Sequence, residues 1–256
     1  LNDSASETLN MAVTVNFVGL GDAFGTGGRF NTCIMVDGED IRFTIDFGAT
    51  SLVALNAQGI HHNSIDAIPL THIHADHSAG IPFMLMDAML GAKRDRPLAI
   101  AGPKNVKARI EECMEVLFPG SNVMTPKFPL NFVELDVGVA NDVLGLTVTP
   151  YAAKHTWQTD PTVLRVRVDD KIVTYTGDGD WTPDLPKATR DADLFIAECY
   201  FHKKPIKWHL NYYAIQEHKE EFGAKRMILT HMGPEMLPLA DEVPEECAED
   251  GLVITL

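Results

Sequence analysis

The sequence feature that most constrains this chain is the segment at residues 71–77, which contains three histidines and one aspartate. It directly follows the apolar run 65–70, which is typical of a buried strand, so the segment is predicted to lie in the loop at the end of that strand. Imidazole and carboxylate groups are ligands that zinc, manganese and iron accept, and a loop can turn several of them toward one point. The pattern therefore predicts a metal site, with a polar loop of accidental histidines as the alternative.

The arrangement His72-x-His74-x-Asp76-His77 resembles the first ligand motif of the metallo-β-lactamase superfamily. By this resemblance His72 and His74 would hold one metal ion, and Asp76 and His77 would hold a second. Two complete sites then need two further histidines and a bridging carboxylate later in the chain.

Three later residues match that requirement, and each follows a strand-like apolar run. The resemblance implies that His155 joins His72 and His74 at the first ion, and that His231 joins the second. Asp178 would bridge both ions, since a carboxylate offers two oxygens and negative charge. An unrelated aspartate in the Gly-Asp-Gly-Asp turn at 177–180 is the alternative for Asp178.

The order of predicted elements indicates an α/β fold. Strand-like runs fall in two halves with helices at 49–58, 78–90, 105–118 and 212–222, which favours two facing sheets flanked by helices. This matches the four-layer αββα sandwich that the resemblance implies. We expect residues 1–10 to be a disordered N-terminal segment and residues 11–256 to form a single domain.

Composition limits the partners that we expect. Lys and Arg total 21 against 36 Asp and Glu, a formal net charge of −15. Because nucleic-acid affinity depends on cationic contacts to phosphates, this balance predicts no extended nucleic acid as a partner. The resemblance implies instead a small-molecule ester substrate, anionic or neutral. No apolar run of about eighteen residues occurs, so no membrane partner is expected.

The four cysteines are widely separated and form no C-x-x-C pair. They are interpreted as reduced thiols of a cytoplasmic protein, with a removed leader before Leu1 left open. Members of the ribonuclease Z and arylsulfatase-like branch, which this chain resembles in the residues described below, are often dimers. A homodimer is therefore an open alternative to a monomer.

Several residues near the ligand motifs are candidates for supporting roles. Asp46 is either a carboxylate that orients a ligating imidazole or a helix N-cap. Arg29, after a glycine-rich loop, either contacts an anionic substrate or forms a structural salt bridge. Four aromatic residues near the motifs either line an apolar pocket or belong to the core: Phe24, Trp157, Trp181 and Tyr200.

The resemblance narrows to one branch through two further residues. Glu198 in Phe195–Phe201 and His209 in Trp208–Tyr212 match positions of the ribonuclease Z and arylsulfatase-like branch, where a glutamate and histidine pair serves the leaving group. An ordinary histidine at a helix start is the alternative for His209. The long transfer-RNA-binding arm of ribonuclease Z is missing, because only 22 residues separate His155 from Asp178.

These observations predict a metal-dependent hydrolase with two divalent ions, Zn or Mn, with Fe as an alternative. Ions about 3.5–4 Å apart can share a bridging hydroxide that attacks the substrate at neutral pH. The predicted substrate is a small phosphodiester or related ester, and the predicted catalytic residues are Asp76, His209 and Glu198. The alternatives are a lactonase, thioesterase or arylsulfatase with the same centre, and a metal-binding scaffold or sensor without turnover.

Overall fold

The computed structural model describes residues 12–256, apart from the side chain at position 122. The predicted disordered segment 1–10 lies outside these residues. The strands are, in chain order, Thr14–Gly19 (β1), Cys33–Asp37 (β2), Arg42–Ile45 (β3), Ala67–Pro69 (β4), Leu98–Gly102 (β5), Leu130–Glu134 (β6), Asn141–Val143 (β7), Leu146–Ala152 (β8), Thr162–Val168 (β9), Lys171–Tyr175 (β10), Leu194–Glu198 (β11), Met227–Thr230 (β12), Glu246–Cys247 (β13) and Val253–Thr255 (β14). The α-helices are Ser51–Ala57 (α1), Ala75–Ser78 (α2), Gly80–Leu90 (α3), Val106–Leu117 (α4), Leu185–Thr189 (α5) and Tyr212–His218 (α6).

The strands form two seven-stranded sheets, one for each half of the chain apart from β14. The first sheet has the order β14-β1-β2-β3-β4-β5-β6, and the second has the order β13-β12-β11-β10-β9-β8-β7. In each sheet the antiparallel pairs give way to parallel ones, at β3–β4 and at β10–β11. The carboxyl ends of the parallel strands therefore meet at one edge of each sheet, as Asp and His residues following those strands require.

Three apolar clusters place these sheets in four layers. The central cluster combines inward-facing residues of both sheets, such as Phe17 and Ile34 with Val166 and Tyr175. A second cluster packs α1, α3 and α4 on the outer face of the first sheet. A third packs α5 and α6 on the outer face of the second. The predicted αββα sandwich is confirmed.

The four predicted helices are all present, with altered ends. The helix predicted at 78–90 is preceded by the single turn α2, so Asp76 and His77 lie on a helical turn and not in the loop predicted for them. The turn forms because the His74 carbonyl accepts hydrogen bonds from the backbone N–H groups of His77 and Ser78, at 3.1 and 2.9 Å. The short elements β7, β13 and α5 were not predicted, because two to five residues carry little periodicity.

Within residues 12–256 no helix has the length and apolar character needed to cross a membrane. His61 and His62 lie in the loop before β4, where the sequence predicts that both are solvated, and this prediction is wrong for His62. Its side chain is buried, and its Nε2 lies 2.7 Å from Asp87 Oδ2 on α3.

One carboxylate ties α6 to the segment that follows β12. The buried Glu245 side chain accepts hydrogen bonds from Tyr212 Oη at 2.7 Å, Gln216 Nε2 at 2.8 Å and Lys219 Nζ at 2.7 Å. Burial opposes ionisation, but these three donors outweigh it and lower the pKa of Glu245 to about 2.

Glu245→Gln is therefore expected to lower the free energy of unfolding by about 1–2 kcal/mol at pH 7, because charge-assisted hydrogen bonds are lost. A carboxyl pKa lower in the folded than in the unfolded state stabilises the fold fully above about pH 4.5, and this stabilisation disappears as the pH falls toward about 2. Denaturant unfolding of both proteins across this range should show the difference closing at low pH. Glu246→Gln, which removes an exposed pair with Arg226, should change stability by less than about 1 kcal/mol.

Candidate metal centre

The candidate centre lies at the edge of the sandwich where strands from both sheets end. Residues 71–77 follow β4 of the first sheet, while His155 follows β8 of the second. Asp178 and His231 follow β10 and β12, and Glu198 is the last residue of β11. The structure brings together all nine residues that the sequence singled out as ligands or catalytic groups: His72, His74, Asp76, His77, His155, Asp178, Glu198, His209 and His231.

The first group of side chains that could hold a metal ion consists of His72, His74, His155 and Asp178. His74 Nδ1 lies 3.1 Å from both His72 Nε2 and His155 Nε2. Three imidazole nitrogens so close together cannot all satisfy one another by hydrogen bonding, since each neutral ring carries only one N–H. A cation bound between the three nitrogens would accept a lone pair from each of them, so their arrangement is typical of a metal site.

The second group consists of Asp76, His77, Asp178 and His231, whose ligand atoms all lie within 4.8 Å of one another. Asp178 Oδ1 is 3.1 Å from His77 Nε2 and 3.3 Å from His231 Nε2. Its other oxygen, Oδ2, is 3.8 Å from His155 Nε2 in the first group. Asp178 therefore occupies the boundary of both groups, which is the position a bridging carboxylate needs.

Buried polar atoms without hydrogen-bond partners test whether a metal fits here. Asp76 Oδ2, His77 Nε2 and Asp178 Oδ1 are each buried and have no such partner among residues 12–256. Leaving these atoms unpaired in a protein interior would be costly, and carboxylate oxygen and imidazole nitrogen are suitable ligands for Zn²⁺ or Mn²⁺. The donor set thus fits divalent metal ions, and the assignment of each residue as a ligand stays a prediction.

The Asp46 carboxylate orients two of the imidazoles, those of His77 and His72. Its Oδ1 accepts a hydrogen bond from the backbone N–H of Thr71 at 2.7 Å, and its Oδ2 lies 2.6 Å from His77 Nδ1. The Thr71 hydroxyl donates to Asp46 Oδ2 at 2.8 Å and lies 3.0 Å from His72 Nδ1. Because the Nδ1 atoms of His72 and His77 are engaged in this way, their Nε2 atoms are left for a metal. The orienting role predicted for Asp46 agrees with this geometry.

Two glycines allow the loops to approach this closely. A Cβ atom at Gly48 would lie 2.1 Å from the Asp76 carbonyl oxygen. Gly177, between β10 and Asp178, has a φ of +58° and faces the Thr71 side chain, 2.7 Å from where its Cβ would be. A side chain at either position would push apart the segments that carry the candidate ligands.

Burial favours neutral imidazoles in the first group. It lowers the pKa of His72 well below its usual range and also lowers the pKa values of His74 and His155. A metal binds the unprotonated nitrogen, so these three rings are in the form that coordination needs.

The second group is dominated by carboxylate charge. Burial alone would lower the pKa of His77, but Asp178, Asp76 and Asp46 outweigh it and raise the pKa well above the usual value. Burial alone would raise the pKa of Asp178, but His231 and His77 lower it well below its usual range. A proton on His77 and a divalent cation offset the same negative charge, so metal binding is expected to release a proton.

Glu198 and His209 form a pair beside the two groups. The Glu198 side chain is fully buried, and its Oε1 is hydrogen-bonded to His209 Nδ1. Its Oε2 accepts from the backbone N–H of Gly179 at 2.8 Å. Burial opposes the charged imidazole, but Glu198 outweighs it and raises the pKa of His209 to about 9. The ligand atoms of Asp178, Glu198 and His209 lie within 4.8 Å of one another.

Sequence reasoning missed two contacts that position these residues. The Trp208 carbonyl lies 2.9 Å from His155 Nδ1, and the Tyr200 ring packs against His209 with centroids 5.1 Å apart. A backbone carbonyl carries no sequence signal, although its neighbour His209 was singled out. Within residues 12–256 Arg29 forms no salt bridge, and its guanidinium Nη1 donates a hydrogen bond to the Ala248 carbonyl at 2.9 Å.

The four aromatic residues near the motifs divide into two kinds. Phe24 and Trp157 are 85% and 73% exposed, whereas Trp181 stacks on His218 with centroids 4.1 Å apart. Tyr200 is the only one of the four with a recorded ring contact to the candidate centre in the described part of the chain. The four therefore do not line one common apolar pocket.

Comparison with known proteins gives the class of this fold and site. Ribonuclease Z of Lachnoclostridium phytofermentans is 26% identical over 261 residues, covering 82% of this chain and 84% of that protein. The metallo-β-lactamase fold protein YhfI of Bacillus subtilis superposes with a TM-score of 0.77 at 19% identity, over 96% of this chain and 100% of YhfI. The short form of human tRNase Z gives a TM-score of 0.74 at 21% identity, over 94% and 98% of the two chains. The protein is a metal-dependent hydrolase of the metallo-β-lactamase superfamily, in its ribonuclease Z-like branch.

A more specific match covers nearly all of the described chain. The model of the family described as anti-Pycsar protein Apyc1 matches residues 13–249, and the chain belongs to this family. Both predicted levels of resemblance, the superfamily and the branch, are confirmed.

The expectation of no extended nucleic-acid partner is wrong as an inference from this sequence. The relatives include ribonuclease Z and tRNase Z, proteins named for action on RNA and tRNA. The net charge of −15 is a poor basis for this expectation, because it sums the charges of the whole molecule. Contacts to phosphates depend on the charge near the site.

The Asp46 contacts generate a test. Asp46→Asn should lower metal affinity by about 10–100-fold, because the neutral amide no longer fixes His77 and Thr71 as the carboxylate does. Metal competition with a chromogenic chelator would measure the affinity, and circular dichroism would check the fold. Asp87→Asn, which alters the remote pair with His62, is the matched control. Equal affinities of the Asp46 variant and the wild type would exclude the orienting role.

Proposed function

We propose that this protein hydrolyses phosphodiester bonds with two divalent ions, Zn²⁺ or Mn²⁺. The first ion would be held by His72, His74, His155 and Asp178, and the second by Asp76, His77, Asp178 and His231. The ions would supply Lewis acidity toward the phosphoryl group and the means of activating water at neutral pH. Asp76 Oδ2 has no hydrogen-bond partner in the part of the chain that the structure describes, which supports a second role for this carboxylate in orienting the attacking water.

The observation that carries the phosphodiester assignment is the Glu198–His209 pair. Hydrolysis of an alkyl phosphodiester expels an alkoxide, a poor leaving group that needs a proton as the P–O bond breaks. With His209 Nδ1 bonded to the buried Glu198 carboxylate, Nε2 is left to donate a proton to the departing oxygen. A ring contact with His155, with centroids 4.9 Å apart, keeps the imidazole next to the candidate ligands.

Glu198 acts in this proposal as the positioning residue of the pair. Its two oxygens are engaged by His209 and by the backbone N–H groups of Gly179 and Leu210. The Gly179 contact links the carboxylate to the turn that carries Asp178. The proton donor and the bridging carboxylate are thereby held by one rigid network.

A substrate panel tests the assignment. Metal-counted protein would be assayed with bis(p-nitrophenyl) phosphate, a p-nitrophenyl carboxylic ester and an aryl sulfate. We expect a strong preference for the phosphodiester, together with loss of activity after chelation and recovery with Zn²⁺ or Mn²⁺. Turnover of only the carboxylic ester or the sulfate would replace phosphodiester hydrolysis with lactonase, thioesterase or arylsulfatase chemistry.

The role of His209 has its own test. In His209→Ala, kcat for a diester with an alkoxide leaving group should fall by about 10²–10⁴-fold, because the proton donor is removed. With p-nitrophenolate, which leaves without a proton, the loss should be less than about tenfold, so the dependence of rate on leaving-group pKa becomes steeper.

The matched control is His202→Ala, which alters a histidine of the same loop that stacks on Tyr212. Metal content must be equal in all three proteins, since the His209 ring contacts His155. Equal losses of the His209 variant on both leaving groups would show that His209 is not the proton donor.

A further inference from the structure

Tyr200 lies beside the candidate centre, two residues beyond Glu198 at the end of β11. The centroid of its ring is 5.1 Å from that of His209 and 6.1 Å from that of His231. It therefore contacts both the proposed proton donor and a candidate ligand. A tyrosine is not among the usual ligands of Zn²⁺, so its effect on the centre depends on the imidazoles that it touches.

The backbone of Tyr200 joins the segments that carry these two histidines. Its N–H donates to the Leu210 carbonyl at 3.1 Å, directly after His209. Its carbonyl accepts from the Gly233 N–H at 3.0 Å, two residues after His231. Because both polar groups of the Tyr200 main chain are paired, the ring projects from a fixed base toward both imidazoles.

A glycine makes room for this ring. A Cβ atom at Gly233 would lie 3.0 Å from Tyr200 Cζ, 3.1 Å from its Cε2 and 2.9 Å from its carbonyl oxygen. The φ of Gly233 is not in the left-handed region, so space and not backbone conformation favours glycine here. The Tyr200 ring therefore packs directly on the backbone of the segment that follows His231, where it has little freedom to move.

The Tyr200 hydroxyl contacts the glycine-rich loop at residues 19–28 through Asp22. Burial and the Asp22 carboxylate together raise the pKa of Tyr200, so the hydroxyl keeps its proton. Asp22 is fully buried, and its two oxygens also accept hydrogen bonds from the Thr26 N–H at 2.8 Å and from the Thr26 hydroxyl at 2.7 Å. The far end of the Tyr200 side chain thus meets a loop that is itself braced.

The His209 imidazole needs more than its hydrogen bond to be fixed. The bond between Nδ1 and Glu198 places one ring nitrogen, but correlated rotation about the two side-chain torsions can still redirect Nε2. The Tyr200 ring is inclined by 33° to the imidazole, and the His155 ring meets it edge-on at 77°. Two rings at such different angles limit that rotation. Proton transfer depends on this limit, because a small misplacement of the donor atom costs much of the rate.

We propose that Tyr200 is a positioning residue for proton transfer, whose ring fixes the direction in which His209 Nε2 faces the departing oxygen. This inference rests on the proposed function, because it assigns a further residue to the same reaction. The ring acts through His209, so it affects the step in which the leaving group takes up a proton and does not affect substrate binding. A residue that only stabilised the fold would instead affect all substrates equally.

Two diesters that differ only in the leaving group test this role. Methyl phenyl phosphate expels phenolate, which is more basic than the p-nitrophenolate of methyl p-nitrophenyl phosphate. Tyr200→Leu should lower kcat for the phenyl compound by about 10–100-fold and for the nitrophenyl compound by less than about threefold, with KM little changed. Tyr200→Phe keeps the ring and should restore most of the loss. Equal losses on both compounds, or a Phe variant as slow as the Leu variant, would overturn the proposal.

Gly233→Ala disturbs the same ring from the backbone and decides the matter if Tyr200→Leu does not fold. Its added methyl group would displace Tyr200, so the same selective loss on the phenyl compound is expected, and an unchanged ratio of the two kcat values would contradict the proposal. The control is Tyr213→Leu, which alters an exposed aromatic residue on α6 and should keep the wild-type ratio. Metal content must be equal in all proteins, since the Tyr200 ring also contacts His231.

A measurement without turnover separates this inference from the proposed function. If the wild-type protein hydrolyses neither diester, the proposed function fails, and the reaction of His209 with diethyl pyrocarbonate, followed by mass spectrometry, still decides the inference. The His209 side chain is 21% exposed, and removal of the ring that packs on it should make it more reactive. Modification should be faster in Tyr200→Leu than in the wild type and in Tyr200→Phe. Equal rates in the wild type and Tyr200→Leu would refute the positioning role.

Discussion

The candidate centre depends on one buried carboxylate, Asp46. It accepts hydrogen bonds from Thr71 and from His77, and through the Thr71 hydroxyl it reaches His72. Burial raises the pKa of Asp46 against the effect of these partners, so the group is costly to hold as an anion. Asp46 directly follows β3, and it lies next to Thr71, where the candidate ligand segment begins after β4. Two imidazoles are thereby fixed before any metal binds.

The cost of burying a carboxylate applies also to the other acidic groups of the candidate centre. Asp76 and Asp178 add two more buried carboxylates, and His77 is the group that their charges act on most directly. A buried negative cluster is stable only with cations to match it. The carboxylates among the candidate ligands would therefore bind divalent ions. Their buried negative charge also gives the folded protein a reason to bind such ions. Glu198 extends this network to His209, so the proton donor of the proposed reaction depends on the same electrostatic balance.

Sequence patterns correctly placed the motifs at the ends of apolar runs, although Asp76 and His77 lie on the helical turn α2 and not in the predicted loop. His72, His155 and His231 could each be placed at a strand end, and the sandwich followed from the order of strands and helices. Errors arose where a property depended on neighbours distant in the chain. His62 is buried because Asp87 on α3 lies against it, and the nucleic-acid expectation failed because net charge says nothing about where lysines gather.

The sequence by itself determined the kinds of groups available, their spacing, and the strand ends from which they project, since these follow from residue chemistry and periodicity. Only the tertiary structure decided that Asp178 lies between both groups, that Thr71 relays Asp46 to His72, and that the Trp208 carbonyl supports His155. These contacts join residues up to about a hundred positions apart, some through backbone atoms that every residue possesses. Their geometry is set by the packing of two sheets, which no local pattern encodes.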